Sequence, residues 1–194
     1  MEQKYKVYLA SKSPRRREIL QLMGIEYEVA ESDADEDISV SDPARMVEEL
    51  SRRKALQCRI NDSEAYIIGA DTVVAFRDRI LGKPKDPEDA GRMLRMLSGQ
   101  VSYVYTGVTL LYSGINRDSV TFHTKSEVLF DELSEREIAE YVATGEPMDK
   151  AGAYGIQGTF AKHIVGIRGD YYNVMGLPMN DLYNKMKEMG IIFI

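Results

Sequence analysis

Cysteine occurs once in 194 residues, at Cys58, so an intrachain disulfide framework is excluded and the composition fits a reducing compartment. Histidine occurs twice, at His123 and His163, too few to build a zinc site without carboxylate help. No apolar run approaches the ~20 residues of a membrane helix. Met1 to Lys6 is polar and leads into only four apolar residues, which leaves no signal-peptide core. The apolar tail Gly190 to Ile194 is too short to anchor the chain and reads as a packed end or terminal strand. The expectation is a cytoplasmic protein with no membrane partner. Basic residues number 25 against 31 acidic ones, a net charge of −6, which argues against duplex nucleic-acid binding, since that needs a basic face. Repeats, low-complexity tracts and linkers are also missing, so a single domain over residues 1–194 is expected. Neither G-x-x-x-x-G-K-[ST] nor G-x-G-x-x-G occurs, which removes a P-loop and a Rossmann dinucleotide site.

What the chain does have is 44% hydrophobic residues, enough for a core, and a run with unusual placement, Ser13-Pro14-Arg15-Arg16. It follows the apolar run Val7 to Ala10 and opens a segment with helical spacing at Ile19, Leu20, Leu22 and Met23. Ser13 suits an N-cap, Pro14 the first helical position, and Gly24 the stop. A strand turning into a helix start presents free N–H groups and the positive end of the helix dipole. With Ser11, Lys12, Arg15 and Arg16 added, the turn reads as a receptor for phosphate. The plainer alternative is an ordinary cap with solvated arginines, although the dipole disfavours cations in a first turn.

Further along, Ile25 to Val29 alternates like a strand, Glu31 to Asp37 reads as an acidic loop, and Asp42-Pro43 opens a helix to about Cys58. Tyr66 to Phe76 reads as a largely buried strand, Arg79 to Leu81 as a short return, and Asp86 to Leu97 as a capped helix. Val101 to Tyr112 and Ser119 to Phe130 suggest an antiparallel hairpin, and Ser134 to Glu137 a capping box. Gly152, Gly155 and Gly158 punctuate an irregular loop, His163 to Arg168 suggests a strand, and the final helix starts at Asn173 or Asp181, interrupted early by Pro178. The mixture indicates an α/β fold with a mixed sheet.

Asp71 interrupts an apolar run. It is either a strand-end carboxylate bonded to a turn, or a metal ligand or general base at a cleft mouth, with Gly69 and Ala70 leaving room beside it. Lys54 falls on the apolar stripe of its helix, snorkelling or aimed at something. Lys83, before Pro84, is mounted on extended backbone, or is simply exposed in a turn. Glu36 lies in a charge run that is ordinarily solvated. Gln157 could read a base edge with its amide, or be a turn residue. Cys58, His123, His163 and the Tyr171-Tyr172 pair read as packing residues. Jointly the basic groups suit a polyphosphate, and the carboxylates suit Mg²⁺ and an activated water.

Leu9 to Arg16, Gly69 to Val74, Gly82-Lys83-Pro84, Leu97-Ser98-Gly99 and Asp149 to Gly158 occur in that order, with Gly176-Leu177-Pro178 near the end. Together these motifs resemble the Maf family of nucleoside triphosphate pyrophosphatases, over nearly the whole chain. The resemblance implies an elongated mixed β-sheet flanked by helices, with two lobes around a central cleft, similar to the inosine triphosphate pyrophosphatase fold. It implies hydrolysis of a nucleoside triphosphate to monophosphate and pyrophosphate with a divalent cation, Mg²⁺ or alternatively Mn²⁺. By motif position, Ser11, Ser13, Arg15 and Arg16 would bind phosphate and Lys54 and Lys83 would neutralise charge on it. Asp71 would be the catalytic carboxylate and a metal ligand, with Glu36 beside it; Asp35 or Asp37 could take the place of Glu36. Thr72 and Gln157 resemble the branch acting on dTTP and UTP, including modified uridine triphosphates, rather than the 7-methyl-GTP branch. A homodimer and septum inhibition come only with the resemblance. A nucleotide sensor without essential catalysis and a nucleotidyltransferase are the competing readings.

Overall fold

The structure, a computed structural model, describes residues 2–193; Met1 and Ile194, the outer ends of the polar lead-in and of the apolar tail, lie outside the described residues. Its centre is a seven-stranded mixed sheet. Strand β2 (Lys6–Leu9) runs parallel to β3 (Glu28–Val29) on one side and to β4 (Ala65–Phe76) on the other. The other edge of β4 pairs antiparallel with β6 (Val101–Tyr112), which pairs with β7 (Ser119–Phe130), and β7 with β8 (Ile164–Arg168). The short β5 (Arg79–Leu81) folds back on the far end of β4. A separate two-stranded ribbon joins β1 (Glu2–Gln3) to β9 (Ile192–Phe193), tying the two ends of the chain together.

Six α-helices flank the sheet among the described residues: α1 (Pro14–Leu22), α2 (Pro43–Gln57), α3 (Pro87–Leu97), α4 (Glu135–Ala143), α5 (Tyr171–Met175) and α6 (Met179–Glu188). None is long and apolar enough to cross a membrane. The capping box of α4 is present as expected, and Asp42 and Asp86 cap α2 and α3 through their side chains.

Apolar burial is divided into two principal clusters. One gathers Val7, Leu9, Ile19, Leu20, Ile68, Ala70, Leu177 and Leu182 around β2, α1 and α6. The other gathers Val74, Phe76, Leu94, Leu97, Tyr154 and Phe160 around α3, α4 and the far half of β4. They meet near the middle of β4. The mixed sheet flanked by helices is the α/β arrangement expected from the sequence.

Helix α2 lies directly on the sheet because two glycines let it. A Cβ on Gly69 would meet the Ser51 carbonyl oxygen and come within 2.7 Å of the Ala55 nitrogen. One on Gly107 would meet the Val47 carbonyl and come within 2.8 Å of the Glu48 nitrogen. Buried Ser51 then bonds Thr109 at 2.9 Å. Gly69 therefore leaves no space for a ligand beside Asp71, contrary to expectation: the helix backbone fills it.

Three further local expectations are corrected. The strand expected over Ile25 to Val29 is confined to Glu28–Val29. Ile25 belongs to the stop of α1, where its N–H reaches the Leu20 carbonyl and the Gly24 N–H, at φ 69°, reaches that of Gln21. That pairing is a Schellman motif, and it buries Ile25 in the core. The final helix, expected with an early interruption at Pro178, is two helices, α5 and α6, whose break begins two residues earlier, at Gly176 with φ 115°. Asp71 sits in mid-strand opposite Gly107, not at a strand end.

Candidate active site

The topology leaves one gap in the sheet. Strand β2 pairs with β4 only as far as Leu9 opposite Ile68, and then turns away toward α1. Strand β5 takes up the same edge at Val74 opposite Leu81. Between them, residues 69–73 of β4 have no strand partner on that side among the described residues. A cleft of about 1090 Å³ opens there, at the carboxyl end of parallel strand β2. All ten residues singled out in the sequence line it: Ser11, Ser13, Arg15, Arg16, Glu36, Lys54, Asp71, Thr72, Lys83 and Gln157. A smaller hollow of about 520 Å³ beside β3 contains none of them.

Adjacent strand residues point to opposite faces of a sheet, yet Asp71 and Thr72 both border the cleft. The cleft wraps around the unpaired edge of β4, and so receives both. On the α2 face, Lys54 donates to Asp71 Oδ1 at 2.6 Å and lies 2.7 Å from Glu36 Oε1. Lysine and aspartate side chains are 15% and 13% exposed, whereas that of Glu36 is 66% exposed. The bond from Lys54, followed by the nearby charges of Lys83 and Arg16, holds the Glu36 carboxyl below its ordinary range against the opposing pull of partial burial. Of the three acidic neighbours, Glu36 reaches the cleft; Asp35 accepts from the Asp37 N–H, and the carbonyls of Asp35 and Asp37 accept from Arg53.

On the opposite face Arg16 is bound into the protein. Its Nε donates to the Gly176 carbonyl at 2.9 Å, one terminal nitrogen to Ser11 Oγ at 3.0 Å and the other to Thr72 Oγ1 at 3.2 Å. Thr72 Oγ1 bonds Thr106 at 2.9 Å, and Thr106 donates to the Asn173 carbonyl at 3.0 Å. Burial lowers the Arg16 pKa, opposed by the charge of Asp71. Arg15 is freer: its nearest acid is Asp149 at 4.0 Å. Ser13 has the extended backbone of an N-cap, but its hydroxyl caps nothing, and its N–H turns back to Ser11 Oγ. The expected side-chain cap is thus replaced by a backbone turn that leaves the Ser13 hydroxyl unengaged.

Lys83 carries no ion pair among the described residues, and the Gln157 side chain makes no internal hydrogen bond among them. Residues the sequence reading had not selected complete the opposite wall. Lys150 donates to Asp149 Oδ1 at 2.6 Å and to the Glu146 carbonyl at 2.9 Å, and Glu146 accepts from the Thr159 N–H and hydroxyl. The signal for them lay in Asp149-Lys150, at the head of the glycine-rich motif.

The oxygens of Asp71 and Glu36 converge on one point, and two carboxylates are the protein's usual share of a Mg²⁺ shell completed by phosphate and water. No group of three or more potential ligands occurs among the described residues. The donor set therefore fits a divalent ion held jointly with substrate, not one enclosed by protein. Combined with a basic rim of Lys12, Arg15, Lys83 and Lys150, the arrangement can receive a polyphosphate over a buried carboxylate.

A family model described as Maf-like protein matches residues 6–189. A dTTP/UTP pyrophosphatase of Agathobacter rectalis is 46% identical, with 95% of this chain and 98% of that protein covered. One from Geobacillus sp. (strain WCH70) is 48% identical over 94% of this chain and 97% of its own. Among solved structures, the Staphylococcus aureus Ham1 protein matches at TM-score 0.47 and 14% identity, over 82% of this chain and 79% of that one.

Proposed function

This chain belongs to the Maf family, and from that membership we propose that it hydrolyses dTTP and UTP to the nucleoside monophosphate and pyrophosphate. The observation that carries the reading is Asp71: a carboxylate buried in mid-strand, on the stretch of the β4 edge that has no strand partner among the described residues, facing a cleft rimmed with cations. The two relatives, each described as a dTTP/UTP pyrophosphatase, support the pyrimidine substrates.

In this reading the unengaged Ser13 hydroxyl, the proton of the Ser11 hydroxyl (whose oxygen already accepts from Ser13 and Arg16), Arg15, and the N–H groups of Arg15 and Arg16 at the α1 N-terminus bind the phosphates. Lys83 approaches from the wall beyond β5 and balances charge that builds on the leaving pyrophosphate. Asp71 accepts a proton from the water that attacks the α-phosphorus. The new P–O bond forms as the bridging oxygen leaves with the pyrophosphate and its electron pair. A divalent ion held by Asp71 and Glu36, for which we assign Mg²⁺, would polarise a phosphoryl oxygen and lower the pKa of water. Arg16 and Thr72 hold the edge of β4 in register under the phosphates, and Gln157 offers an unengaged amide to the base.

Incubating the protein with dTTP, UTP and 7-methyl-GTP, with Mg²⁺ or Mn²⁺, tests this reading. Monophosphate plus pyrophosphate from the first two is the expected result. Nucleoside diphosphate plus orthophosphate would move the cleaved bond. Turnover of 7-methyl-GTP alone would move the chain to the other branch.

A further inference from the structure

Lys54 stands where the two carboxylates meet. Its Nζ is 2.6 Å from Asp71 and 2.7 Å from Glu36, so one ammonium group fills the point on which a small cation held by both would lie. We propose that this chain closes its own divalent-cation site with Lys54, and that the site opens only when a triphosphate draws Lys54 away.

Three observations carry this inference, which rests on the pyrophosphatase reading above. First, the helix backbone cannot retreat. Gly69 and Gly107 seat α2 on the sheet at van der Waals contact, so release must come from rotation of the flexible lysine stem. Second, the charges facing the point do not favour a bare divalent ion. Asp71 and Glu36 are met by Lys54, and Arg16 and Lys83 also bear on Glu36, so two negative groups face three positive ones. A bound polyphosphate reverses that balance and offers the ammonium richer acceptors than either carboxylate. Third, the lysine is embedded at 15% exposure with both acceptors in place, so its contacts with the two carboxylates are those of a positioned group and not of a solvated side chain. The consequence is an order of assembly in which nucleotide binding precedes or accompanies ion binding, and the protein alone has little affinity for the ion.

Titration of the full chain with Mn²⁺ and no nucleotide, followed by the electron paramagnetic resonance of free Mn²⁺, tests this directly. Wild type should bind weakly. Lys54→Met, which keeps most of the stem without the charge, and Lys54→Gln, a shorter uncharged side chain that keeps a donor, should bind about tenfold tighter or more. Lys54→Arg, which keeps the charge, should stay weak. Asp71→Asn placed in the Lys54→Met background should cancel the gain, which locates the ion. A wild-type Kd on the order of micromolar without nucleotide would overturn the proposal whether or not the variants fold. So would equal affinities of wild type and Lys54→Met, since the ion would then use carboxylate lone pairs the lysine leaves free. No nucleotide enters the titration, so its outcome is separable from that of the product assay.

Discussion

Arg16 Nε donates to the carbonyl of Gly176 at 2.9 Å, across 160 residues of sequence. The same guanidinium reaches Ser11 and Thr72, so one side chain ties α1, the open edge of β4 and the turn between α5 and α6. Neighbouring Arg15 has only a 4.0 Å approach to Asp149. Two arginines that are indistinguishable in sequence thus differ in what they touch.

Their alanine variants should separate accordingly. Arg15→Ala should raise KM for the triphosphate and leave urea unfolding within about 0.5 kcal/mol of wild type. Arg16→Ala should raise KM and also lower stability by about 1–3 kcal/mol, because partly buried acceptors lose their donor. Equal stability of the two variants would contradict the difference in their bonding.

Asp71→Asn keeps size and burial but removes the carboxylate. Turnover should fall about 10²–10⁴-fold while the nucleotide still binds. Product formation at a tenth of wild type or better would take the catalytic role from Asp71.

Gly69→Ala tests the seat of α2. The new Cβ would press on the Ser51 carbonyl and the Ala55 nitrogen, which are helix backbone and cannot rotate away. A loss of about 1–3 kcal/mol in urea unfolding is expected as the helix shifts to admit the methyl group. Wild-type stability would contradict the close seating of α2 on Gly69.

Asn173→Ala addresses the buried chain behind Thr72. Asn173 Nδ2 donates to the Val104 carbonyl and to Ser126 Oγ, while its backbone carbonyl accepts from Thr106 and is retained in the variant. Losing the side chain should cost about 1–3 kcal/mol in urea unfolding, and the backbone at 173, released from Val104 and Ser126, should shift under Thr106 and raise KM through Thr72 and Arg16. An Asn173→Ala–Arg16→Ala double-mutant cycle checks the coupling, and additive effects on KM would argue against it.

The pH dependence follows from Glu36. Its folded pKa lies below the ordinary 4.5, chiefly through the bond from Lys54. The contribution of the pair is therefore fully present above pH 4.5 and is lost as pH falls through the lowered folded value. Urea unfolding of Glu36→Gln should show a slightly shallower loss of stability below pH 4.5 than wild type. Glu36 is largely exposed, so the difference should be small. Identical slopes would mean that the Lys54 pairing does not outlast solvation.

Most of the strands and helices were legible because their patterns are local. The capping box at Ser134, the Asp-Pro starts of α2 and α3, and the apolar β4 announce themselves within a dozen residues. Ile25 fits a strand pattern in the sequence, because alternation cannot reveal that Gly24 takes a left-handed turn and folds Ile25 beneath the helix. The sequence marks the interruption of the final helix at Pro178, but not that the break begins at Gly176, whose left-handed turn no periodicity reveals. Lys54 was visible as an oddity on an apolar stripe, but its target was not.

By itself the sequence determined the chemistry available: a phosphate-suited helix start, a carboxylate too costly to bury idle, and lysines spaced along ordered motifs. It also determined the family, since motif order needs no coordinates. Tertiary structure decided which of those groups share a site. Strands β2 and β5 leave residues 69–73 of β4 unpaired on one edge, so Asp71 and Thr72, on opposite faces, border one cleft. Glycines 69 and 107, from different strands, let α2 descend until Lys54 reaches Asp71. Both depend on pairing between segments distant in the chain, and no local pattern encodes the absence of a neighbour.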